Sequence, residues 1–175
     1  VLAMNGLDLV AIAFASLAIG TRLVPINWHL APPEVEYLLQ DSGALLLLVQ
    51  PGLLPLAQAT TTPMVLLDND LEPLLAANAD RPLPIGRPAG QPLIYTGGTT
   101  GRSKGVWRPS KHDLPTTIAG LAAWGGRLGF PTSGRGLLTT PLYHAWGLSS
   151  LSTMLCSGIS VVLRPRFDER VMLSD

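Results

Sequence analysis

Short apolar segments of strand length alternate along this chain with segments that have the apolar periodicity of a helix. Residues 44–49 (ALLLLV) form a continuous apolar run, which is typical of a strand covered on both faces. Residues 33–42 place Val35, Leu38 and Leu39 on one helical face, and Gly43 follows as a stop. This alternation favours parallel strands joined by right-handed crossovers. The sequence therefore predicts an α/β fold with largely parallel sheets covered by helices.

The same alternation continues on both sides of this unit. Further helices are predicted at residues 7–19 (with Gly20 as the cap), 52–59, 113–128 and 145–157. Further strands are predicted at residues 22–27, 64–67, 93–96, 105–108, 137–140 and 159–163. Residues 80–92 contain four prolines and two glycines, which predicts a linker or a long surface connection rather than a core element.

Composition and residue spacing argue against several classes of protein. Twelve Lys and Arg balance twelve Asp and Glu, so no nucleic-acid partner is expected. Residues 7–20 are too short to span a membrane, and proline and glycine interrupt the uncharged stretch 136–163. A single cysteine, Cys156, forms no internal disulfide, and with three scattered His it lacks the spacing of a metal site. We therefore expect a cytoplasmic protein with no transmembrane segment and no metal ligands.

Residues 95–107 (YTGGTTGRSKGVW) concentrate glycine, hydroxyl and cationic side chains between apolar ends. Exposed backbone N–H groups, hydroxyl donors and positive charge are the groups that hold a polyphosphate. The alternative is an ordinary glycine-rich turn between two strands. The P-loop pattern fails, because Ser103 and Gly105 occupy its second Gly and its Ser/Thr positions. The dinucleotide pattern fails as well, because no helix opens at the loop.

Three stretches, taken in order, resemble the motifs of the adenylate-forming (AMP-binding) superfamily, which contains acyl-CoA synthetases, peptide-synthetase adenylation domains and luciferases. Residues 95–106 are similar to its phosphate-binding signature: an aromatic residue, Thr-Ser-Gly-Thr-Thr-Gly, any residue, then Pro-Lys-Gly. Residues 20–49 resemble a segment of substrate-domain helix and strand. Residues 139–168 resemble the next motif, with Pro-aromatic-His, Gly-Leu and a strand ending near Arg-Phe-Asp. The resemblance implies that residues 1–175 are part of the large N-terminal AMP-binding domain.

The resemblance also implies which residues bind the triphosphate of ATP while a carboxylate attacks the α-phosphorus. They are Thr96, Gly97, Gly98, Thr99, Thr100, Gly101 and Lys104. Two positions depart from the signature. Gly97 lacks the hydroxyl of the usual Ser, and Ser103 makes the loop less rigid before Lys104 than the usual Pro would.

A second set of residues is implied for the acyl and adenylate pocket: Tyr143, His144, Trp146 and Gly147. The alternative for His144 is a structural role as a cap at the start of a helix. No residue of this segment is assigned as catalytic, because the family places its catalytic Lys in a C-terminal domain beyond it.

The implied activity is that of an acid–thiol ligase, an acyl-CoA synthetase. It activates a carboxylic acid, here a fatty acid, with ATP and Mg²⁺, and then transfers the acyl group to CoA. Two alternatives remain open: a carrier-protein thiol as acceptor, and a truncated, non-catalytic remnant. The chain begins at Val1 and ends at Asp175 as another helical pattern starts. We therefore expect a piece of a longer protein, without the C-terminal domain and inactive alone.

Overall fold

The computed structural model describes residues 1–68, 70–84, 86–98, 101–166 and 168–172, and the predicted α/β fold is confirmed in them. The helices are α1 (Leu7–Ile19), α2 (Pro32–Ser42), α3 (Leu71–Ala77), α4 (Leu114–Arg127), α5 (Ala145–Cys156) and α6 (Glu169–Met172), with a 3₁₀ helix at Pro51–Ala57. The strands are β1 (Leu47–Val49), β2 (Met64–Leu66), β3 (Leu93–Gly98), β4 (Gly101–Trp107), β5 (Arg135–Leu138) and β6 (Ser160–Leu163).

Glycines end the first two helices, as the sequence predicts. Gly20 after α1 has φ 73° and Gly43 after α2 has φ 64°, in the left-handed region that glycine adopts without steric cost. The backbone N–H of Gly43 donates back to the carbonyl oxygens of Gln40 and Leu39, which satisfies two carbonyls at the end of α2. Both helices therefore end where the sequence places their stops.

Parallel pairing dominates the strands, as predicted: β1 pairs with β2, and β5 pairs with β6. Two extended segments continue the first sheet. Leu2 bridges Val49 of β1, and the Ile26 N–H donates to the Val1 carbonyl at 2.9 Å. The Leu93 N–H then donates to the Leu23 carbonyl at 2.8 Å. These contacts place β2, β1, residues 1–3, residues 23–26 and β3 side by side. The strand predicted at residues 22–27 is thus an extended segment that is held by hydrogen bonds to Val1 and Leu93 and a bridge to Pro92, without a continuous ladder.

Two sequence predictions about strands and connections were too broad. The run 44–49 enters the ladder only at Leu47, and the two residues before it, Leu45 and Leu46, are 89% and 50% exposed. Of the predicted connection 80–92, the described residues up to Pro88 are exposed, but Ala89 and Gly90 are buried. The Gly90 N–H donates to the Leu17 carbonyl at 2.9 Å, which packs the end of the connection against α1.

The buried apolar side chains form two clusters. One lies between α2 and β1 and includes Val35, Leu38, Leu47 and Val49. The other joins α1, β3 and α5 through Leu9, Ile94, Leu142, Leu148 and Leu151. This second cluster fixes the base of β3 relative to the start of α5, where the two predicted site motifs lie. Within the described part of the chain, none of the helices is long and apolar enough to cross a membrane.

Candidate functional site

The predicted phosphate-binding segment forms an antiparallel hairpin of β3 and β4. The sequence predicts strands that end at residue 96 and resume at residue 105, but the structure continues β3 to Gly98 and begins β4 at Gly101. The ladder shifts between Thr96 and Gly98, so that Arg102 and Ser103 together oppose Gly97. This extra residue in β4 is a β-bulge, which twists a hairpin locally and redirects its side chains.

Thr96 and Lys104 are cross-strand partners in this hairpin. Residues that lie directly opposite each other on two strands project from the same face, so a hydroxyl and an ammonium group stand together there. Both residues are exposed, as are Gly97 and Gly101. A Cβ added to Gly97 would meet no atom within 4 Å, so the space above the bulge is open. Thr99 and Thr100 lie outside the described residues.

Helix α2 holds this hairpin through two side chains one helical turn apart, Tyr37 and Asp41. The Tyr37 hydroxyl donates to the Ser103 carbonyl oxygen at 3.1 Å, and the Tyr95 hydroxyl donates to Asp41 Oδ2 at 2.6 Å. The guanidinium carbon of Arg102 also lies 5.0 Å from the centre of the Tyr37 ring. Burial, followed by the hydrogen bond and the negative charge of Asp41, raises the pKa of Tyr95 above its usual value.

The sequence predictions missed both Tyr37 and Asp41. Their spacing of four places them on one face of the predicted helix, next to the apolar face formed by Val35, Leu38 and Leu39. That spacing was a usable signal for a polar contact surface on α2. It does not identify the hairpin as the element that this surface contacts.

The base of the hairpin is held separately. The guanidinium carbon of Arg22, after α1, lies 4.1 Å from the centre of the Trp107 ring at the end of β4. Gly105 faces Tyr95 across the ladder, and a Cβ there would lie 2.9 Å from Leu93 Cδ1 and 3.2 Å from Tyr95 Cζ. Glycine at this position therefore lets the Tyr95 ring lie across β4 on its way to Asp41.

The second set of predicted residues surrounds the turn between β5 and α5. His144 is the residue before α5; its carbonyl oxygen accepts the Leu148 N–H at 3.1 Å, whereas its side chain makes no capping hydrogen bond. The imidazole is exposed, and its centre lies 4.5 Å from that of the Tyr143 ring. Tyr143 is buried, and burial raises its pKa. The helix-start role of His144 is therefore a backbone role, and its imidazole remains accessible.

Gly147 and Asn5 fix the position of this turn. Gly147 is buried, and a Cβ there would overlap the Pro141 carbonyl oxygen and lie 2.9 Å from the Pro141 carbonyl carbon. Asn5 is buried before α1, where its Oδ1 accepts the Leu142 N–H at 2.9 Å. The sequence predictions include Gly147 but missed Asn5, for which no local pattern gives a signal.

A cavity of about 510 Å³ lies between α1, α4, α5 and the beginning of β3. Its lining is mostly apolar and includes Phe14, Leu17, Ile94, Leu121, Trp146 and Leu148. Ile94 stands two residues before Thr96, and Trp146 two residues after His144. Of the four residues predicted for the acyl pocket, Trp146 lines this cavity, and the residue as a whole is 68% exposed. The cavity thus lies next to both predicted motifs and has the chemistry to take an apolar group.

The described residues contain no group of three or more His, Cys, Asp or Glu that could hold a metal ion. The hairpin offers hydroxyl, ammonium and backbone N–H donors instead. Such donors bind an anion.

Comparison with known proteins identifies the family of this chain. A family model described as AMP-binding enzyme matches residues 1–175. The chain is 28% identical over 174 residues to the long-chain-fatty-acid–CoA ligase FadD13 of Mycobacterium tuberculosis, a match that covers 94% of this chain and 34% of that protein. It is 32% identical over 172 residues to a feruloyl-CoA synthase of Amycolatopsis sp., covering 92% of this chain and 32% of that protein.

A solved structure shares the fold. The inhibitor-bound N-terminal domain of FACL13 from Mycobacterium tuberculosis superposes with a TM-score of 0.83 at 27% identity, over 99% of this chain and 45% of that one. The chain spans about a third of the length of the curated relatives that it matches.

Proposed function

Because the chain belongs to the AMP-binding enzyme family, we propose that it supplies the phosphate- and acyl-binding part of an ATP-dependent acid–thiol ligase. In the first half-reaction, a carboxylate oxygen attacks the α-phosphorus of ATP, the bond to the β-phosphate oxygen breaks, and acyl-adenylate and pyrophosphate form. In the second, the CoA thiol loses its proton, its sulfur attacks the acyl carbon, and AMP leaves as the thioester forms.

The pairing of Thr96 with Lys104 across the hairpin is the observation that carries this proposal. The ammonium and hydroxyl groups donate to oxygens of the β- and γ-phosphates, together with Thr99 and Thr100. Negative charge builds on the pyrophosphate as it leaves, so these donors stabilise the transition state more than the bound ATP. The glycines on either side leave the backbone N–H groups open to the phosphates.

Magnesium enters this reaction bound to the triphosphate, as part of the substrate. The hairpin presents donors and an ammonium group rather than carboxylates, and Mg²⁺ is commonly held by substrate phosphates with few protein ligands. ATP and CoA are then co-substrates, and the proposal assigns Mg²⁺ to the triphosphate rather than to side chains of the hairpin.

A fatty acid is the substrate that we propose. The apolar cavity beside Trp146 offers an environment for a hydrocarbon tail, and its lining includes Ala145, the residue after the exposed His144. FadD13 is named for a long-chain fatty acid, whereas the Amycolatopsis relative is named for an aromatic acid. Both are named for CoA, which favours CoA over a carrier protein as the acceptor.

The test uses the full-length ligase, meaning this chain together with the segments that its relatives carry beyond it. Lys104→Ala removes one charge-assisted donor and should slow acid-dependent pyrophosphate release by about one to two powers of ten. Thioester formation from preformed acyl-adenylate and CoA should change little, because no triphosphate remains to be held. Lys111→Ala is the matched control, since Lys111 is an exposed lysine after β4.

The ordinary-turn alternative has a different signature. If the segment were only a turn, Lys104→Ala would lower the thermal stability of the protein and leave the activity of each folded molecule unchanged. Equal loss in both half-reactions, or loss in neither, would contradict the assignment of Lys104 to the phosphates.

A further inference from the structure

We propose that Tyr37 and Asp41 of α2 are positioning residues that set the orientation of the β3–β4 hairpin for phosphate binding. The proposal rests on the proposed function, because it assigns a role to these residues in the same site. Each of the two side chains reaches a different strand: Asp41 accepts from Tyr95 of β3, and Tyr37 donates to the backbone of Ser103 in β4. One helix therefore holds both strands.

The anchored groups are adjacent in sequence to the proposed phosphate-binding residues. Tyr95 precedes Thr96, and Ser103 precedes Lys104. Side chains alternate between the two faces of a strand, so the face that carries Tyr95 toward α2 leaves Thr96 on the opposite face. Helix α2 therefore occupies one side of the hairpin and leaves the other side open for a ligand.

Helix α2 is a rigid support. Its inner face is fully packed in the core, with Val35 at 0%, Leu38 at 2% and Leu39 at 3% exposure. Most side chains of β4, in contrast, are exposed, so the strand has few packing contacts of its own. A two-stranded hairpin is marginally stable without support from another element. The polar contacts from α2 and the Arg22–Trp107 contact at the base supply that support.

The turn that precedes α5 is held by other residues. Asn5 and the close approach at Gly147 position it, and neither contact involves α2. Loss of the α2 anchors should therefore affect ATP and leave the carboxylic acid substrate nearly unaffected. A residue that acts only through general stability would affect both substrates together.

The experiment compares four variants in the full-length ligase: Asp41→Ala, Asp41→Asn, Tyr37→Phe and Gln40→Ala. Asp41→Ala removes the acceptor of the Tyr95 hydroxyl, whereas Asp41→Asn keeps an amide oxygen in the same place. Tyr37→Phe removes the donor to Ser103 and keeps the ring beside Arg102. Gln40→Ala is the control, because this exposed side chain bonds to Glu36 of its own helix.

Asp41→Ala and Tyr37→Phe should raise the KM for ATP in acid-dependent pyrophosphate exchange by roughly three- to tenfold. The KM for the acid should stay within about twofold. Asp41→Asn should recover most of the affinity for ATP, and Gln40→Ala should behave as the wild type does. Thermal melting of each variant shows whether the protein remains folded.

Three outcomes would overturn the inference while Lys104→Ala still slows adenylation: an unchanged KM for ATP, an equal rise in both KM values, or no recovery in Asp41→Asn. If Lys104→Ala leaves adenylation unchanged, the hairpin does not bind the phosphates, and the proposed function fails together with this inference. The lysine variant therefore separates the two failures.

Discussion

Gly97 lies opposite the bulged residues of the hairpin, where the resembling signature has a serine. The change Gly97→Ser adds a hydroxyl without a steric clash, because a Cβ there meets no atom within 4 Å and the residue is not among the glycines with positive φ. Residue 97 lies two positions after Tyr95, so its side chain shares the strand face that is turned toward α2 and lies opposite the face of Thr96 and Lys104. The added hydroxyl should therefore not reach the phosphates, and the KM for ATP should stay within about twofold in pyrophosphate exchange. Gly97→Ala is the control; a KM for ATP that falls in Gly97→Ser and not in Gly97→Ala would contradict this orientation of residue 97.

The contribution of Tyr95 to the free energy of unfolding should depend on pH in the alkaline range. The pKa of a tyrosine in the unfolded chain is about 10, and the pKa of Tyr95 in the fold is higher. Above about pH 10 the unfolded chain therefore loses a proton that the folded chain keeps, and the stability due to Tyr95 falls as pH rises further. Below that pH the wild type should exceed Tyr95→Phe by about 1 kcal/mol in free energy of unfolding. Denaturant titrations should show this difference shrinking above about pH 10; a constant difference would contradict the assignment.

The residues of the proposed site differ in how readily a sequence pattern identifies them. Thr96, Gly97 and Lys104 belong to one short signature, so a local pattern identifies them. Asp41 contacts Tyr95 across 54 positions, and Asn5 contacts Leu142 across 137 positions. These contacts arise from the tertiary packing, and a single sequence does not show which distant residues are in contact.

At the scale of elements, the start of α5 packs against the turn that leaves β5. A Cβ on Gly147 would overlap the carbonyl oxygen of Pro141 and lie 3.1 Å from that of Thr140, and backbone atoms cannot rotate aside as a side chain can. Gly147→Ala should therefore lower the free energy of unfolding by about 1–3 kcal/mol. It should also raise the KM for the acid, because the turn that presents His144 must shift.

Gly120→Ala is the matched control for this prediction. Gly120 lies inside α4, is exposed, and a Cβ there would meet nothing within 4 Å. Alanine is the better helix former, so this variant should gain about 0.5–1 kcal/mol in free energy of unfolding. Denaturant titration of the two variants measures both effects. A Gly147→Ala protein as stable as Gly120→Ala would show that α5 does not need glycine at its start.

Helices with an apolar face and a glycine stop are predictable from this sequence. The predicted ranges 7–19 and 33–42 agree with α1 and α2 within one residue. Helix α3 was not predicted, because it is short and contains no buried residue, so no apolar periodicity marks it. The hairpin was predicted as a loop with short flanks, because glycine within a strand weakens the strand signal. Cross-strand pairing and the support of α2 stabilise it despite that composition.

At the scale of the whole molecule, apolar side chains remain exposed along one groove. It lies beside α1 and is lined by Leu45, Leu46, Leu71 and Leu75. Leu45 is 89% and Leu75 55% exposed, and Trp146 is 68% exposed at the separate cavity beside α5. Contiguous apolar surface of this kind marks places where a protein contacts another segment or another chain. The ladder β5–β6 also contains only two strands in the described residues, which leaves open edges.

The 175-residue chain, purified alone, should therefore self-associate and should form no thioester. It holds the hairpin proposed for the phosphates and the cavity proposed for the acyl group, but it spans about a third of its relatives' length, and the family resemblance places the catalytic Lys beyond it. Size-exclusion chromatography and binding of a hydrophobic dye test the association. An assay with ATP, CoA and fatty acids tests the activity, with the full-length ligase as the positive control. A sharp, reversible melt of a monomer would contradict the first expectation, and thioester above background from the purified chain would contradict the second.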